Sequence, residues 1–380
     1  MSVESENKRL ASLDVLRGLD MFVLVFLGAF IADGLAGVSD AGWIHALADQ
    51  HRHASWTGLY VHDLIMPLFV FMSGTAIPFA MAKYRGQGRS GRSIYLRILK
   101  RVLVLWILGM ICQGNLLMLD PSRFKFYSNT LQSIAVGYAF SCIFFLNTRP
   151  RTQVLIAAGL LVVYWACCEF ITVDGFGGGS YMRSTNFPEW VDRVVLGRFC
   201  DHAYVNEAGQ VVFQEGSTYT WVFSSLNFIA TAMTGMFAGE ILGSPWDERK
   251  KMLALLGGGI LMLVAGQLWS IEMPVIKHIW TSTMVLITSG IFFILLAAIY
   301  FWVDYRKWKG LGWLKVIGVN CIFVYMMQLF SFSPFSDVIL QGVREIVSPE
   351  WYRVIRMLCN FLILWVILKT MYKHKIIIRA

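Results

Sequence analysis

Ten apolar stretches, each about as long as a bilayer is thick, dominate this chain: 19–36, 64–82, 94–112, 131–147, 154–172, 219–242, 252–270, 280–303, 313–331 and 353–372. A helix of roughly 20 residues crosses the hydrocarbon core, and only structures that satisfy their own backbone hydrogen bonds survive there. The composition agrees: 57% of the 380 residues are hydrophobic, 15% are charged and the mean hydropathy is +0.58. Water-soluble domains carry about 45–50% apolar and about 25% charged residues. The fold class expected is therefore all-α, a polytopic membrane protein of about ten transmembrane helices forming a single domain over 1–380. The first stretch is too long for a signal-peptide core and has no small-residue cleavage site close behind it, so it reads as a retained helix. A weaker segment at 335–347 carries Asp337, Arg344 and Glu345 and reads as interfacial or re-entrant rather than spanning.

The charge pattern sets an orientation. With the N-terminus in the cytosol, segments 1–18, 83–101, 147–153, 243–251, 304–315 and 369–380 face inward and hold 23 of the 33 lysines and arginines. That is the positive-inside bias, and an even number of spans puts the C-terminus in the cytosol too. The net charge of +9 then reflects contact with anionic headgroups, and no nucleic-acid partner is expected. The location implied is the cell (inner) membrane. On the outer face the longest connection, about 173–218, is too polar to cross lipid and long enough to fold over a pocket. The seven cysteines suggest neither a disulfide framework nor a metal site.

The chemistry-bearing residues concentrate in the other outer loop, 37–62, and the span after it. His45, His51, His53 and His62 lie there, with Asp63 at the membrane edge. Imidazole exchanges protons near neutral pH and is the common general base. A carboxylate moved toward mid-bilayer costs about 2.5–3.5 kcal/mol, so Asp63 calls for a partner, and a histidine is the nearest. Trp56 and Tyr60 could stack on a sugar. Two blander readings stand beside this one: an interfacial belt of amphipathic side chains, or zinc held by His51, His53, His62 and Asp63, whose spacing is not a standard zinc pattern.

Several segments in order carry a family resemblance. His53-Ala-Ser-Trp56-Thr-Gly58 followed by Asp63-Leu-Ile-Met-Pro67-Leu-Phe-Val-Phe-Met-Ser-Gly74 resembles the signature of the heparan-α-glucosaminide N-acetyltransferase family and its bacterial relatives. Ser12-Leu-Asp14-Val-Leu-Arg17-Gly18, Leu131-Gln132-Ser133-Ile134-Ala135, Pro274-Val-Ile-Lys277-His-Ile-Trp280-Thr281-Ser282, Gly318-Val-Asn320 and Val191-Asp192-Arg193 resemble its further motifs. The resemblance implies a transferase that takes an acetyl group from cytosolic acetyl-CoA and delivers it to the amino group of a glucosamine-type sugar outside. It implies His53 as base or acetyl carrier, with Asp63 orienting it. Trp56, Lys277, Trp280 and Thr281 are the candidates for the acceptor, and Arg17 and Asn320 for CoA. Partners expected are an amino-sugar or glycan acceptor and membrane lipid; a homodimer suits the class. The chain departs from the family's pattern at Gly28, where the family has Asn in the first span, at Ser133 in place of Arg and at Ile276 in place of Asn. A transporter of amino sugars or their N-acetyl forms, and an O-acyltransferase acting on a cell-envelope glycan, are the competing readings.

Overall fold

A computed structural model describes residues 10–85, 91–214 and 219–378. Of the basic residues behind the orientation, Lys8, Arg9, Arg89 and Arg379 lie outside them. The helices are α1 (Ala11–Phe22), α2 (Gly42–Gln50), α3 (Ile65–Thr75), α4 (Ile77–Arg85), α5 (Gly91–Cys112), α6 (Thr130–Asn147), α7 (Pro150–Phe170), α8 (Phe187–Leu196), α9 (Ser225–Gly243), α10 (Glu248–Trp269), α11 (Ser282–Tyr300), α12 (Gly312–Val319), α13 (Cys321–Met327), α14 (Ser333–Ile339), α15 (Gln341–Arg344) and α16 (Pro349–Lys373). Among the described residues eight helical segments are long and apolar enough to cross a membrane: Ala11–Gly37, Val61–Met81, Thr130–Asn147, Pro150–Phe170, Ser225–Gly243, Glu248–Trp269, Ser282–Tyr305 and Pro349–Lys373. The protein is an all-α, multi-pass membrane protein.

Two of the ten expected spans take other forms. The stretch 94–112 lies in the 22-residue α5, whose first half carries Arg97, Lys100 and Arg101. The stretch 313–331 is broken: α12 and α13 are 8 and 7 residues long and meet at Asn320, whose backbone leaves the helical region at φ −117°, ψ 35°. Both amide atoms of Asn320 explain the break. Its Nδ2 donates to the Ile376 carbonyl at 3.1 Å and its Oδ1 accepts from the Ile378 N–H at 2.9 Å. The buried Asn320 amide thus meets backbone far along the chain at the point where the helix breaks, a long-range contact that local hydropathy does not register. The segment 335–347 holds the short α14 and α15 and does not span.

The residues group into two compact units interleaved along the chain. The first comprises residues 1–54, 59–65 and 296–380. Its first helix begins eight residues before the apolar stretch, because Asp304 accepts from Ala11 N and Ser12 N at 3.2 and 3.0 Å. A carboxylate on the orphan N–H groups of a helix start satisfies donors and complements the dipole. The helix then widens into two π-helical segments, Val23–Leu27 and Phe30–Gly34. α1 and α12 pack backbone to backbone through two glycines. A Cβ added at Gly18 would sit 1.9 Å from Leu314 O, and one at Gly318 would sit 1.8 Å from Asp14 O. Small residues permit such contact where lipid supplies no hydrophobic drive between helices. Gly318→Ala is expected to force α1 and α12 apart, at about 1–3 kcal/mol or more since backbone cannot yield like a side chain; a fall in thermal stability in detergent checks it.

The second unit comprises residues 55–58 and 66–295. α3 meets α9 through the same device, with Gly74 against Ala232 O and Gly235 against Phe71 O. A core of Ile77, Tyr138, Cys142, Met233 and Met236 joins α4, α6 and α9. The Leu131–Ala135 motif opens α6 with a capping box: the Asn129 side chain accepts from Leu131 N at 2.8 Å, and Gln132 Oε1 accepts from Asn129 N at 3.0 Å. The segment between α7 and α9 carries two small hairpins, β1 (Thr172–Val173) with β2 (Phe176–Gly177) and β3 (Ala203–Val205) with β4 (Val211–Phe213), and the amphipathic α8.

Candidate functional site

In the first unit the site is built on a single buried carboxylate. The chain enters α3 through a 3₁₀ turn, Val61–Leu64, which turns Asp63 inward until 1% of its side chain is exposed. Asp63 Oδ2 accepts from Ala54 N at 3.1 Å and Tyr60 N at 3.0 Å, and Oδ1 contacts His53 Nδ1 at 2.8 Å. Hydrogen bonds to a charged group contribute about 1.5–3 kcal/mol each. Three of them outweigh the cost of a carboxylate at the membrane edge. The same bonds fold residues 54–60 into a corner that displays His53, whose side chain remains 52% exposed. As an acceptor, the carboxylate places the imidazole proton on Nδ1 and makes Nε2 the basic nitrogen. His53 and Asp63, paired in the sequence reading, are in contact. The His62 ring lies edge-on to His53, with centroids 4.7 Å apart.

Arg17 and Asn320 also belong to this unit. Arg17 Nη1 is 3.4 Å from Asp14 Oδ1, with 22% of its side chain exposed. Asn320 is fully buried and has both amide atoms on the backbone of 376–378. Arg17 thus pairs with Asp14, and Asn320 binds the chain's own C-terminal segment.

In the second unit, Trp56, Lys277, Trp280 and Thr281 come together around one turn. Residues 274–281 are pinned by the Gly58 N–H on the Val275 carbonyl at 2.8 Å and by a β-bridge between Thr57 and Ile276. Thr281 Oγ1 accepts from Ile276 N at 3.0 Å, and Trp280 adopts the left-handed conformation at φ 53°. Such a conformation is costly for a bulky residue and persists only where the surroundings hold it. Here the indole N–H donates to Thr231 Oγ1 at 3.1 Å, and Asn227 Nδ2 donates to the Trp280 carbonyl at 2.6 Å. Trp280 and Thr281 are therefore interior residues that shape the turn. The more open members are Trp56 and two residues the sequence reading did not single out, Tyr219 and Arg183, which surround a buried His278. His278 stacks on Trp56 at 5.2 Å, and Tyr219 stacks on His278 at 4.7 Å. Arg183 lies 5.2 Å over the Trp56 ring and bonds the Ser55 carbonyl. Lys277, buried, holds its ammonium 5.8 Å from the Tyr219 ring centroid. Stacked rings flanked by cations suit the face of a sugar. His278 stood inside a recognised motif, which was the one signal available for it.

The loop segment 173–214 is held by buried charge. Asp192 accepts from Trp221 N and Val222 N at 2.7 and 2.9 Å, and burial pushes its carboxyl up to about 7. Glu189 takes Arg193 at 2.6 Å and Ser184 N at 2.9 Å. Burial pushes His202 down to about 4, and Lys125 donates to the carbonyls of Cys200 and Ala203 at 2.9 and 2.6 Å. Gly177 permits the hairpin: at φ 85° its missing Cβ would lie 2.1 Å from the Ile171 carbonyl oxygen. Among the described residues no three histidine, cysteine, aspartate or glutamate side chains converge as a bound metal ion would require.

Comparison with known proteins places this geometry in a lineage. Residues 9–157 match a family described as "Domain of unknown function (DUF5009)". The chain is 25% identical over 379 aligned residues to heparan-alpha-glucosaminide N-acetyltransferase of Mus musculus, covering 87% of this chain and 55% of that protein. To the Homo sapiens protein of the same name it is 26% identical over 363 residues, covering 84% and 52%. The chain thus spans about half the length of the curated relatives it matches.

Proposed function

We propose that this chain, a distant relative of these N-acetyltransferases, is itself a membrane-bound, acetyl-CoA-dependent N-acetyltransferase of the cell (inner) membrane, and that its acceptor is the amino group of a glucosamine-type sugar on the face opposite the donor. The observation that carries this reading is the 2.8 Å contact of His53 with an Asp63 whose other oxygen is fixed by two backbone N–H groups. An ammonium has no lone pair with which to attack a thioester, so a base must take its proton first. His53 Nε2 takes it; the amine attacks the carbonyl carbon; the C–N bond forms and the C–S bond breaks; and the thiolate leaves with the proton returned by His53. Asp63 holds the ring in one tautomer and stabilises the imidazolium formed on the way. In the covalent variant His53 Nε2 carries the acetyl group between the two half-reactions. Arg17 attracts the phosphates of the donor by charge. Trp56 and Lys277 bind the acceptor, while Trp280 and Thr281 set the turn that carries Lys277.

The test is release of free CoA thiol by purified protein in detergent, across a panel of amino sugars and their hydroxyl analogues. Release that requires the amino group supports the reading. Release with hydroxyl sugars alone would move the assignment to O-acyl transfer. Sugar flux into proteoliposomes without acetyl-CoA, with no thiol release, would make the protein a carrier.

A further inference from the structure

A cavity of about 430 Å³ lies in the first unit, between the first span, the turn at 327–332 and α16. That volume falls in the range of small-ligand sites. Its walls are mostly apolar and include Phe26, Ala29, Phe332, Met357, Phe361 and Leu364. Both long walls belong to segments apolar enough to cross a membrane, Ala11–Gly37 and Pro349–Lys373. The two run antiparallel: a Cβ at Gly34 would lie 3.3 Å from Met357 Sδ, and further along the Phe26 and Phe361 rings stack with centroids 4.4 Å apart. The cavity is therefore a groove that follows the spans, and α16 rises about 10 Å between Met357 and Leu364. Aromatic rings and adaptable methionines at lipid depth suit a hydrocarbon chain. What stands at the end of the groove identifies the lipid. Ala29 is its last wall residue on the first span, and the neighbouring Gly28 faces the histidine corner. A Cβ there would lie 3.4 Å from His51 Nδ1 and 3.5 Å from His62 Nδ1. The His62 ring in turn lies against the His53 ring. In the orientation set by the charge pattern, Ala29 marks the outer end. An outer-leaflet lipid with its chain along Phe26 and Ala29 carries its headgroup to the level of these histidines.

We infer that the acceptor is a lipid-borne amino sugar, with its hydrocarbon chain in the groove between the first span and α16 and its amine presented toward His53 at the groove's outer end. This inference rests on the transferase reading of the same site. The reaction is unchanged, with the glycolipid amine as the nucleophile: the C–N bond forms, the C–S bond breaks, and His53 passes the amine's proton to the departing sulfur. The chain takes no part in the chemistry. It confines the sugar to the membrane plane and to one end of the groove, which reduces the entropy lost when amine and thioester meet. An ordinary phospholipid chain is the rival occupant. It has the same shape in the groove but brings no amino sugar to the histidines, so the two differ in headgroup preference and in turnover.

The experiment compares thiol release with methyl glucosaminide and decyl glucosaminide as acceptors, for the wild-type protein, Ala29→Phe and Ser331→Phe. Both side chains line the groove and are exposed, so a phenyl ring at either place narrows the groove without entering the packed interior. Thermal melting in detergent checks each variant's fold. In the wild type, kcat/KM for the decyl acceptor is expected to exceed that for the methyl acceptor by about tenfold or more, and each variant is expected to lower that ratio by about tenfold. Partition of the decyl acceptor into micelles also raises the ratio, but a change in the groove wall leaves partition as it was. A second measurement reads the occupant in the wild type directly. A decyl glucosaminide with a photoreactive diazirine at its chain end is cross-linked and the labelled peptides are identified. Label is expected on 327–332 or 357–364, displaced by unlabelled decyl glucosaminide at a concentration about tenfold below that of a phospholipid of equal chain length. An unchanged decyl-to-methyl ratio in stable variants overturns the inference and leaves the transferase reading standing. Label elsewhere, or displacement by the phospholipid at the same concentration, also overturns it; where a variant melts lower, this cross-link is the deciding result. Absence of thiol release by the wild-type protein with every amino sugar, free or lipid-borne, overturns the transferase reading and this inference with it.

Discussion

His53→Ala is expected to lower CoA-thiol release by about 10²–10⁴-fold, the range that a positioned proton-transfer group contributes, without loss of protein from the membrane. The side chain is half exposed and touches the fold chiefly through Asp63 and the edge of His62. Its removal leaves the two backbone bonds to Asp63 Oδ2 in place, so the corner keeps its anchor. The activity loss and the stability loss should therefore separate. A fall in thiol release with unchanged melting, and unchanged binding of a thioether analogue, is the predicted pattern. If the acetyl group passes through the ring, mass spectrometry after exposure to acetyl-CoA alone finds +42 Da on the His53 peptide, the mass of one acetyl group in place of hydrogen. Wild-type turnover in His53→Ala sinks the assignment.

Asp63 should show the opposite balance. Asp63→Asn keeps the shape but presents an amide whose NH₂ end only donates; with its oxygen kept on the two backbone N–H groups, the NH₂ faces the imidazole. The imidazole then loses its imposed tautomer. In a serine protease triad the equivalent exchange costs about 10⁴ in kcat, and a loss of about 10²–10⁴-fold is expected here. Asp63→Ala removes all three hydrogen bonds from a site with 1% exposure, leaving buried donors unsatisfied at about 1–3 kcal/mol each. That variant should fail in stability as well as in rate. Comparing melting and kcat for the two substitutions divides the orienting role from the structural one. Equal activity in Asp63→Asn and wild type would remove Asp63 from the mechanism.

Much of this was legible before any coordinates. Apolar runs of bilayer length announce helices because lipid admits little else, and eight such segments are present among the described residues. His53 and Asp63 were legible as a pair because they lie ten positions apart at a membrane edge, where a carboxylate needs a partner. Long-range contacts account for what was hidden. α1 begins at Ala11 because Asp304, 293 residues away, caps it. The 313–331 stretch breaks at Asn320, whose side chain meets backbone 56 residues further on. Trp280 and Thr281 read as pocket residues from their motif, yet a left-handed turn folds them inward. Trp56 and Tyr219, both half-buried and both stacked on a buried His278, carry the aromatic surface instead.

The central claim is that one histidine at the membrane edge moves an acetyl group from a donor on one face to an amine on the other. Sealed vesicles of uniform orientation, with acetyl-CoA labelled in the acetyl group on the cytosolic face and glucosamine confined to the opposite face, test it most directly. The account predicts label in N-acetylglucosamine on the acceptor face, an equal amount of CoA thiol on the donor face, and neither product with His53→Ala. Label appearing only when donor and acceptor share a face, or at the same rate in His53→Ala as in wild type, would contradict it.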